Sequence, residues 1–538
     1  MKWTIKRIQQ GAQRRWLQAR NNREIARLAA EIERQAPAAD DPRPVAFFNA
    51  SSRLAWMSQN AAFSLLSSWG LRLAGAPVVH FVCTAGMSRC QLGTNPDAPH
   101  QPPPCAACVR QSHNLYRGAA VRWFDYRPDA DLERALDGKG LAELMQVAWR
   151  GLPLAELVLP SLRWSLRRHD LLDDESTRFL LRQLILSAAR AAEEFSRFLE
   201  DTNPRGVVVF NGVSFPEAVA RQAAIQRGLW VVTHEVGLRP FSGFFTRGHA
   251  TAYPIDVPAD FDLDAQRQAR LNDYLEKRFE GQFSMAGIRF WQEMRRLDEG
   301  LLAKIAAFRQ VVPVFTNVIF DTSQIHANVI FSDMFAWLDE VLAVIRAHAD
   351  TLFVLRAHPD EDRPGKQARQ SVAGWVESHR VAELPNVVFI PSREYVSSYE
   401  LIQRSKFVMV YNSTIGLEAA ILGVPVLCAG KARYTQLPTV FLPASAEDFQ
   451  RAAQAFLSAQ RIETPAEFQP NARRFLYYQL FKASLPFDAF LEGDLTPGFV
   501  RLRQGLRWQD FSPQRSATLR VISDGLLHGQ PFLLADGD

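Results

Sequence analysis

The segment from Thr351 to Gly430 constrains the fold more than any other part of the chain. TLFVLRAHP is an apolar run that stops on His358 and Pro359, and further on KFVMVYNSTIGLEAAILGVPVLCAG reads strand, polar turn, helix, strand. Short apolar runs bounded by turn residues are buried strands, and strands alternating with helical periodicity make parallel βαβ units with right-handed crossovers. In both stretches the polar residues fall where a strand stops. That edge of an open parallel sheet is where ligands bind, so the pattern points to a site for a phosphorylated ligand.

The same rhythm extends along the chain. After the linker APAADDPRP, PVAFFNASS reads as a strand, Leu54 to Leu73 as a helix and PVVHFVC as a second strand. From Asp129 to Asp201 the apolar residues recur at three and four, the helical period. GVVVFNG then ends a strand on Asn211 and Gly212, SFPEAVARQAAIQRG crosses over as a helix, and LWVVTHEVG ends on His234 and Glu235. A helical stretch from Phe283 to Phe308 leads into PVFTNVIFDTS, after which helices and strands alternate through PVLCAG. The expected class is α/β: two doubly wound domains facing each other across a cleft. They cover residues 42–295, with a helical insert at about 129–201, and residues 300–465. A basic helix and linker occupy residues 1–41, and residues 466–538 form a tail expected to be helical and without strands.

A chain of 538 residues is too long for one core. Hydrophobic residues at 47% and charged residues at 22% exclude disordered and fibrous classes. A net charge of +5 is too mild for this length to indicate nucleic-acid binding, and none is expected. No apolar run is long enough to span a membrane, and the start lacks the apolar stretch of a secretory signal, so cytoplasmic residence is the expectation. That start sets Trp3, Ile5, Ile8, Trp16 and Leu17 among Lys2, Lys6, Arg7, Arg14, Arg15 and Arg20. Residues 1–35 either rest on anionic headgroups at the inner face of a membrane or form a solvated helix docked on the protein.

In YNSTIGLEAAILG, Asn412, Ser413 and Thr414 stand between a strand and a helix start, where backbone N–H groups and hydroxyls suit phosphate oxygens. Capping of that helix by Ser413 or Thr414 explains the same residues without a ligand. Gly416 allows close approach of a ligand or of backbone. Glu418, one turn in, either accepts from a sugar hydroxyl or favours the helix start by its charge. Pro359 holds His358 extended at its strand end, where an imidazole can donate to a departing phosphoryl oxygen. Arg356 is a further anion partner. Asp360 and Asp362 form a short carboxylate pair with nothing around them to mark a metal site.

RAHPDED and VSSYELIQRSKFVMVYNSTIGLEAAILGVPVLCAG, set in this two-domain layout, resemble the bacterial capsule polysaccharide biosynthesis family of glycosyltransferases with the GT-B fold, in which two Rossmann-like domains enclose a cleft. The resemblance covers residues 311–435 well and the N-terminal half in outline. It implies a nucleotide sugar in the C-terminal domain and a glycan or lipid-linked glycan acceptor at the N-terminal domain. By it, His358 and Pro359 look like the element that contacts the nucleotide, and Ser413 and Thr414 like the element that holds the donor phosphate. The pairing is also similar to that of bacterial sialyltransferases and Kdo transferases, which implies a CMP-activated donor. The paired carboxylates followed by glycine of the sialyltransferases have no counterpart in the N-terminal half.

An acceptor-side base is expected from a strand end facing the cleft. Glu235 and His234 are the candidates, with Asn211 to orient the hydroxyl; each also fits a simple turn role. An inverting displacement needs such a base and a retaining one can do without it; the sequence does not distinguish the two. No cofactor is expected for catalysis, and no catalytic metal. Cys83, Cys90, Cys105 and Cys108 cluster in sequence and match a four-thiolate zinc site only in part, because six residues separate the first pair; ordinary thiols or a redox pair are the alternatives. Cys428 sits in a buried strand. In PSLRWSLRRHDL, Arg163, Arg167, Arg168 and His169 flank Trp164, either to meet an anionic acceptor or as a solvated basic face. The function expected is sugar transfer from a nucleotide donor to a surface glycan. A nucleotide-sugar epimerase and a non-catalytic assembly subunit are the other readings.

Overall fold

The computed structural model describes residues 2–50, 56–281, 295–363 and 367–536, with side chains from residue 10 onward. Its strands are β1 Val45–Asn49, β2 Val78–Cys83, β3 Val121–Phe124, β4 Gly206–Phe210, β5 Val231–Val236, β6 Ser242–Thr246, β7 Gln310–Phe315, β8 Thr351–Arg356, β9 Val387–Ile390, β10 Val408–Val410, β11 Val426–Cys428 and β12 Leu485–Pro486. They form a seven-stranded sheet in the order β12-β6-β5-β4-β1-β2-β3 and a five-stranded sheet in the order β11-β10-β7-β8-β9. A two-stranded ribbon, Leu491–Gly493 with Val500–Leu502, lies in the C-terminal segment.

The strands are apolar on both faces because helices cover both. All residues of β1 and β8 are buried. Their period of two divides them: Val45 and Phe47 enter one apolar cluster, Ala46 and Phe48 the cluster on the opposite face. In the first sheet the chain runs from β1 outward to β3, then returns to pair β4 beside β1 in parallel. In the second it runs from β7 outward to β9 and returns to pair β10 beside β7. Each return leaves a gap between crossovers at the C-terminal strand ends, the topological switch point.

The residues read as a helical insert include a crossover. The helix Glu175–Thr202 follows an Asp174 N-cap, carries the chain from β3 to β4, and buries Leu184, Phe195 and Phe198 on the sheet. β3 and the antiparallel β6 went unrecognised in the sequence because both are short and half polar or glycine-containing. The tail corrects the helical expectation. Its helices Phe468–Phe481 and Ala517–His528 are joined by strands, and Leu485–Pro486 closes the edge of the first sheet as β12. A two-residue strand has no periodicity to read.

The helix Lys2–Gln35 docks on the first domain from Leu17 onward, burying Leu17, Asn21, Ile25, Leu28 and Ile32, while Trp16 stays 55% exposed. No helix among the described residues is long and apolar enough to cross a membrane. The expected helix from Phe283 to Phe308 lies outside the described residues up to residue 294; of the rest, Glu299–Ala306 is helical. The helix Ala265–Phe279 links the domains, and Phe468–Phe481 brings the chain back. Their Leu271, Leu275, Phe475 and Leu476 share one buried cluster with Val408 and Leu417 of the second domain.

Candidate active site in the interdomain cleft

A cavity of about 360 Å³ lies between the domains, against the C-terminal ends of the second sheet. Thr316 and Asn317 follow β7, Arg356 and His358 end β8, Asn412 to Thr414 follow β10, and Lys431 and Arg433 follow β11. Thr251, Ala252 and Pro254 face them from the first domain, and Arg278 enters from the linking helix.

His358 caps the 3-10 turn Pro359–Asp362 with extended backbone, φ −70° and ψ 135°, as the following proline requires. Its Nδ1 accepts the Asp360 N–H at 3.2 Å. The ring proton therefore sits on Nε2, which is left as the donor. Burial, with Arg356 adding to it, lowers the His358 pKa below the ordinary histidine value against the pull of Asp360 and Asp321, so the imidazole is neutral at pH 7. Arg356 is 4% exposed; it donates to the Val396 carbonyl at 2.5 Å and to Ser398 Oγ at 2.7 Å. Burial lowers its pKa to about 10, which still leaves a cation in the wall.

Thr414 precedes the helix Ile415–Ile421 without a side-chain capping bond, so the capping explanation for its hydroxyl does not hold. Asn412 is spent on structure: its Oδ1 accepts from Asn317 Nδ2 at 2.7 Å and from Gln324 Nε2 at 3.3 Å. The Ser413 carbonyl accepts the Tyr434 hydroxyl at 2.8 Å, which sets the turn.

Several further residues expected at a ligand have other work. Glu418 is 4% exposed, and its oxygens accept from Arg278 Nε at 2.9 Å and from the Tyr399 hydroxyl at 2.6 Å. It lines the cavity as part of a buried ion pair, with little capacity left for a sugar hydroxyl. Gly416 is absent from the cavity wall; a Cβ there would lie 2.3 Å from the Tyr434 oxygen, so glycine permits side-chain packing rather than ligand approach. His234 is 1% exposed, its ring 5.3 Å from that of Phe245, and it does not reach the cavity. Asn211, at φ 62°, accepts the Val213 and Ser214 N–H groups and donates to Glu235 Oε2 at 3.1 Å; it is a turn residue that orients Glu235. Glu235 also accepts from Asn60 at 3.3 Å and stands outside the cavity wall. Asp362 accepts from Ser392 at 2.7 Å.

The structure adds residues that the sequence did not flag. Arg433 lies over the Tyr253 ring at 3.9 Å, and Lys431 stands two residues away on the same wall. Their position after β11 was a usable signal, since every other strand end on this edge carries a polar residue. His326 Nε2 pairs with Thr251 Oγ1 at 2.9 Å across the cleft; burial, then Lys431 and Arg221, lower its pKa. The basic cluster of the long crossover forms a clasp between domains. Asp97 Oδ1 takes Arg167 and Arg369, each at 2.6 Å, and Gln370 Oε1 accepts the His169 N–H at 3.0 Å. Arg163 donates to the His169 carbonyl at 3.0 Å.

Two doubly wound domains with a polar cavity at the switch point of the second sheet define a GT-B-like α/β protein. Residues 270–459 match the model of the capsule polysaccharide biosynthesis protein family. Among solved structures, the chain is similar to the beta Kdo 2,4 transferase of Thermosulfurimonas dismutans KpsC, at 14% identity over 52% of this chain and 80% of that one, TM-score 0.34. It is similar to the beta Kdo 2,7 transferase of the same KpsC at 13% identity, over 58% and 85%, TM-score 0.32. It is also similar to Methanocaldococcus jannaschii UDP-GlcNAc 2-epimerase in complex with UDP-GlcNAc and UDP, at 13% identity over 54% and 79%, TM-score 0.24. No curated protein matches the chain.

Proposed function

We propose that this chain is a glycosyltransferase of capsule-type polysaccharide synthesis that moves a sugar from a nucleotide donor to a glycan or lipid-linked glycan. The observation that carries the reading is the convergence of Arg356, neutral His358, Ser413, Thr414, Lys431 and Arg433 on one interdomain cavity. Negative charge builds on the departing phosphate as the glycosidic bond to the donor breaks, and preorganised donors in a desolvated site stabilise that charge most. His358 Nε2–H and the two hydroxyls donate to the phosphate oxygens, while Lys431 and Arg433 supply positive charge beside them. Glu235, held by Asn211 and Asn60 on the first domain, stands outside the cavity wall, so it takes the proton of an acceptor hydroxyl only from an acceptor that reaches beyond the cavity to it. The reading needs no metal for catalysis and takes a CMP-activated sugar as the first donor to try. It places the protein in the cytoplasm, with the basic helix toward an anionic membrane face.

The epimerase reading requires carboxylates from both sides of the cleft. The carboxylates in the cavity wall, Asp321, Asp360 and Glu418, all come from the second domain. That distribution counts against a two-sided proton shuttle inside the cavity.

Calorimetric and thermal-shift titration with CMP, UDP, GDP and dTDP, on wild type, His358→Ala and Ser413→Ala, tests the donor site. One nucleotide stabilising wild type and neither variant is the expected result. Binding of none, or equal binding by all three proteins, removes the donor site and moves the non-catalytic assembly reading ahead.

A further inference from the structure

The loop between β2 and the helix Cys105–Leu115 spans residues 84–104 and carries neither helix nor strand. Loops of that length in a compact domain are uncommon without something to tie them down. This one has a structural task, because its Asp97 and the Pro96 carbonyl receive Arg369 of the second domain, at 2.6 and 3.0 Å.

Four cysteines surround the root of the loop. Cys83 ends β2, Cys90 lies within the loop, and Cys105 and Cys108 occupy the first turn of the following helix. All four line one cavity of about 30 Å³, with Ala50, Met87, Pro103 and Val109 among its other walls. Two of the sulfurs already accept backbone N–H groups in matching turns: Gly86 N–H reaches Cys83 Sγ at 3.1 Å, and Gly93 N–H reaches Cys90 Sγ at 3.3 Å. Both turns depend on a missing side chain. A Cβ at position 86 would lie 2.3 Å from the Phe124 ring, and one at 93 would lie 2.8 Å from Pro103 and 3.1 Å from Cys90 Sγ. Burial outweighs these bonds and keeps both thiols protonated in the metal-free chain; the same N–H groups serve as donors to a thiolate once a metal displaces the proton.

We infer that Cys83, Cys90, Cys105 and Cys108 bind a single zinc ion that fastens the loop carrying Asp97. Among the described residues no three of these sulfurs lie within 4.8 Å of one another, so binding requires them to converge on the cavity that they line. Zinc is the divalent ion suited to four thiolates in tetrahedral array, and a site without an open position is structural. Each thiol releases its proton to solvent as its sulfur bonds to the metal. By holding the loop, the ion keeps Asp97 in place for Arg167 and Arg369, and so couples the first domain's edge to the second domain.

The test uses the full chain, purified under reducing conditions without chelator. Elemental analysis is expected to give about one zinc per chain. Replacement by Co²⁺ is expected to give thiolate-to-cobalt charge-transfer bands and the visible bands of tetrahedral cobalt. The double variant Cys105→Ser/Cys108→Ser loses both signals, and Cys428→Ser keeps them. Absence of zinc together with absence of cobalt–thiolate bands in reduced wild type overturns the inference, as does a disulfide among the four in the native protein or full zinc retention by the double variant. Should the double variant fail to fold, the cobalt spectrum of wild type decides alone.

Discussion

Arg278 and Glu418 stand 140 positions apart in the sequence and meet at the floor of the cleft, Nε to Oε1 at 2.9 Å, both more than nine-tenths buried. The arginine comes from the linking helix and the glutamate from the helix that follows β10, so the pair ties the route between the domains to the wall of the donor cavity. Tyr399 adds its hydroxyl to the free side of the carboxylate, at 2.6 Å.

Removing one partner leaves the other charged and enclosed. Glu418→Ala is expected to cost about 3–5 kcal/mol of unfolding free energy. Chemical denaturation measures it, and a loss confined to nucleotide affinity with unchanged stability would assign Glu418 to the ligand instead.

Gly416→Ala brings a Cβ to 2.3 Å from the Tyr434 oxygen and 3.0 Å from Val410 Cγ2. Overpacking of this kind costs about 1–3 kcal/mol. The same substitution in a Tyr434→Phe background is expected to cost less than in wild type, a difference read from the melting temperatures of the four proteins. Equal costs in both backgrounds would show that the hydroxyl is not the obstacle.

Glu361 is 3% exposed and accepts the Val372 N–H, and burial raises its pKa from 4.5 to about 8. A carboxyl with a raised folded pKa binds its proton more tightly in the folded state. Its contribution is therefore complete below about pH 4.5 and is lost as pH rises to about 8. Glu361→Gln keeps an acceptor for Val372 and has no proton to lose. Between those limits wild type is expected to lose stability relative to the variant, by a few kcal/mol at most, in melting curves recorded across pH. Parallel curves would place an ionised carboxylate in the folded state throughout.

His358 acts as a neutral donor through Nε2. His358→Ala is expected to lower turnover about 10²–10³-fold, the cost of one preorganised donor to a developing anion, with little change in melting temperature. Because its pKa is depressed, nucleotide affinity should stay level as pH falls from about 8 to about 6.5, the ordinary histidine value. A marked tightening over that interval in calorimetry would mean that the protonated imidazole is the binding form.

Much of the site was legible because strand ends in a parallel sheet announce themselves. An apolar run that stops on His358 or on Asn412 puts a polar side chain at the sheet edge, and Arg356, His358, Ser413 and Thr414 do line one cavity. His234 shows the limit of that inference. It too sits at a strand end, yet in β5 its register beside Phe245 of the antiparallel β6 turns the ring into the core. The periodicity of β5 says that neighbours alternate; only the partner strand says which face is closed.

Apolar runs that stop on polar residues dictate the alternation of strands and helices, hence two parallel sheets with polar edges, because burial on both faces demands continuous apolar runs and each parallel return demands a crossover. The tertiary structure alone decided which edges share a cavity, that Arg278 enters it, and that β12 seals the first sheet after a return across both domains. Those outcomes rest on contacts between residues far apart in the chain, where no local period or spacing records the partner, and on side-chain direction, which a strand acquires only when its neighbours are in place.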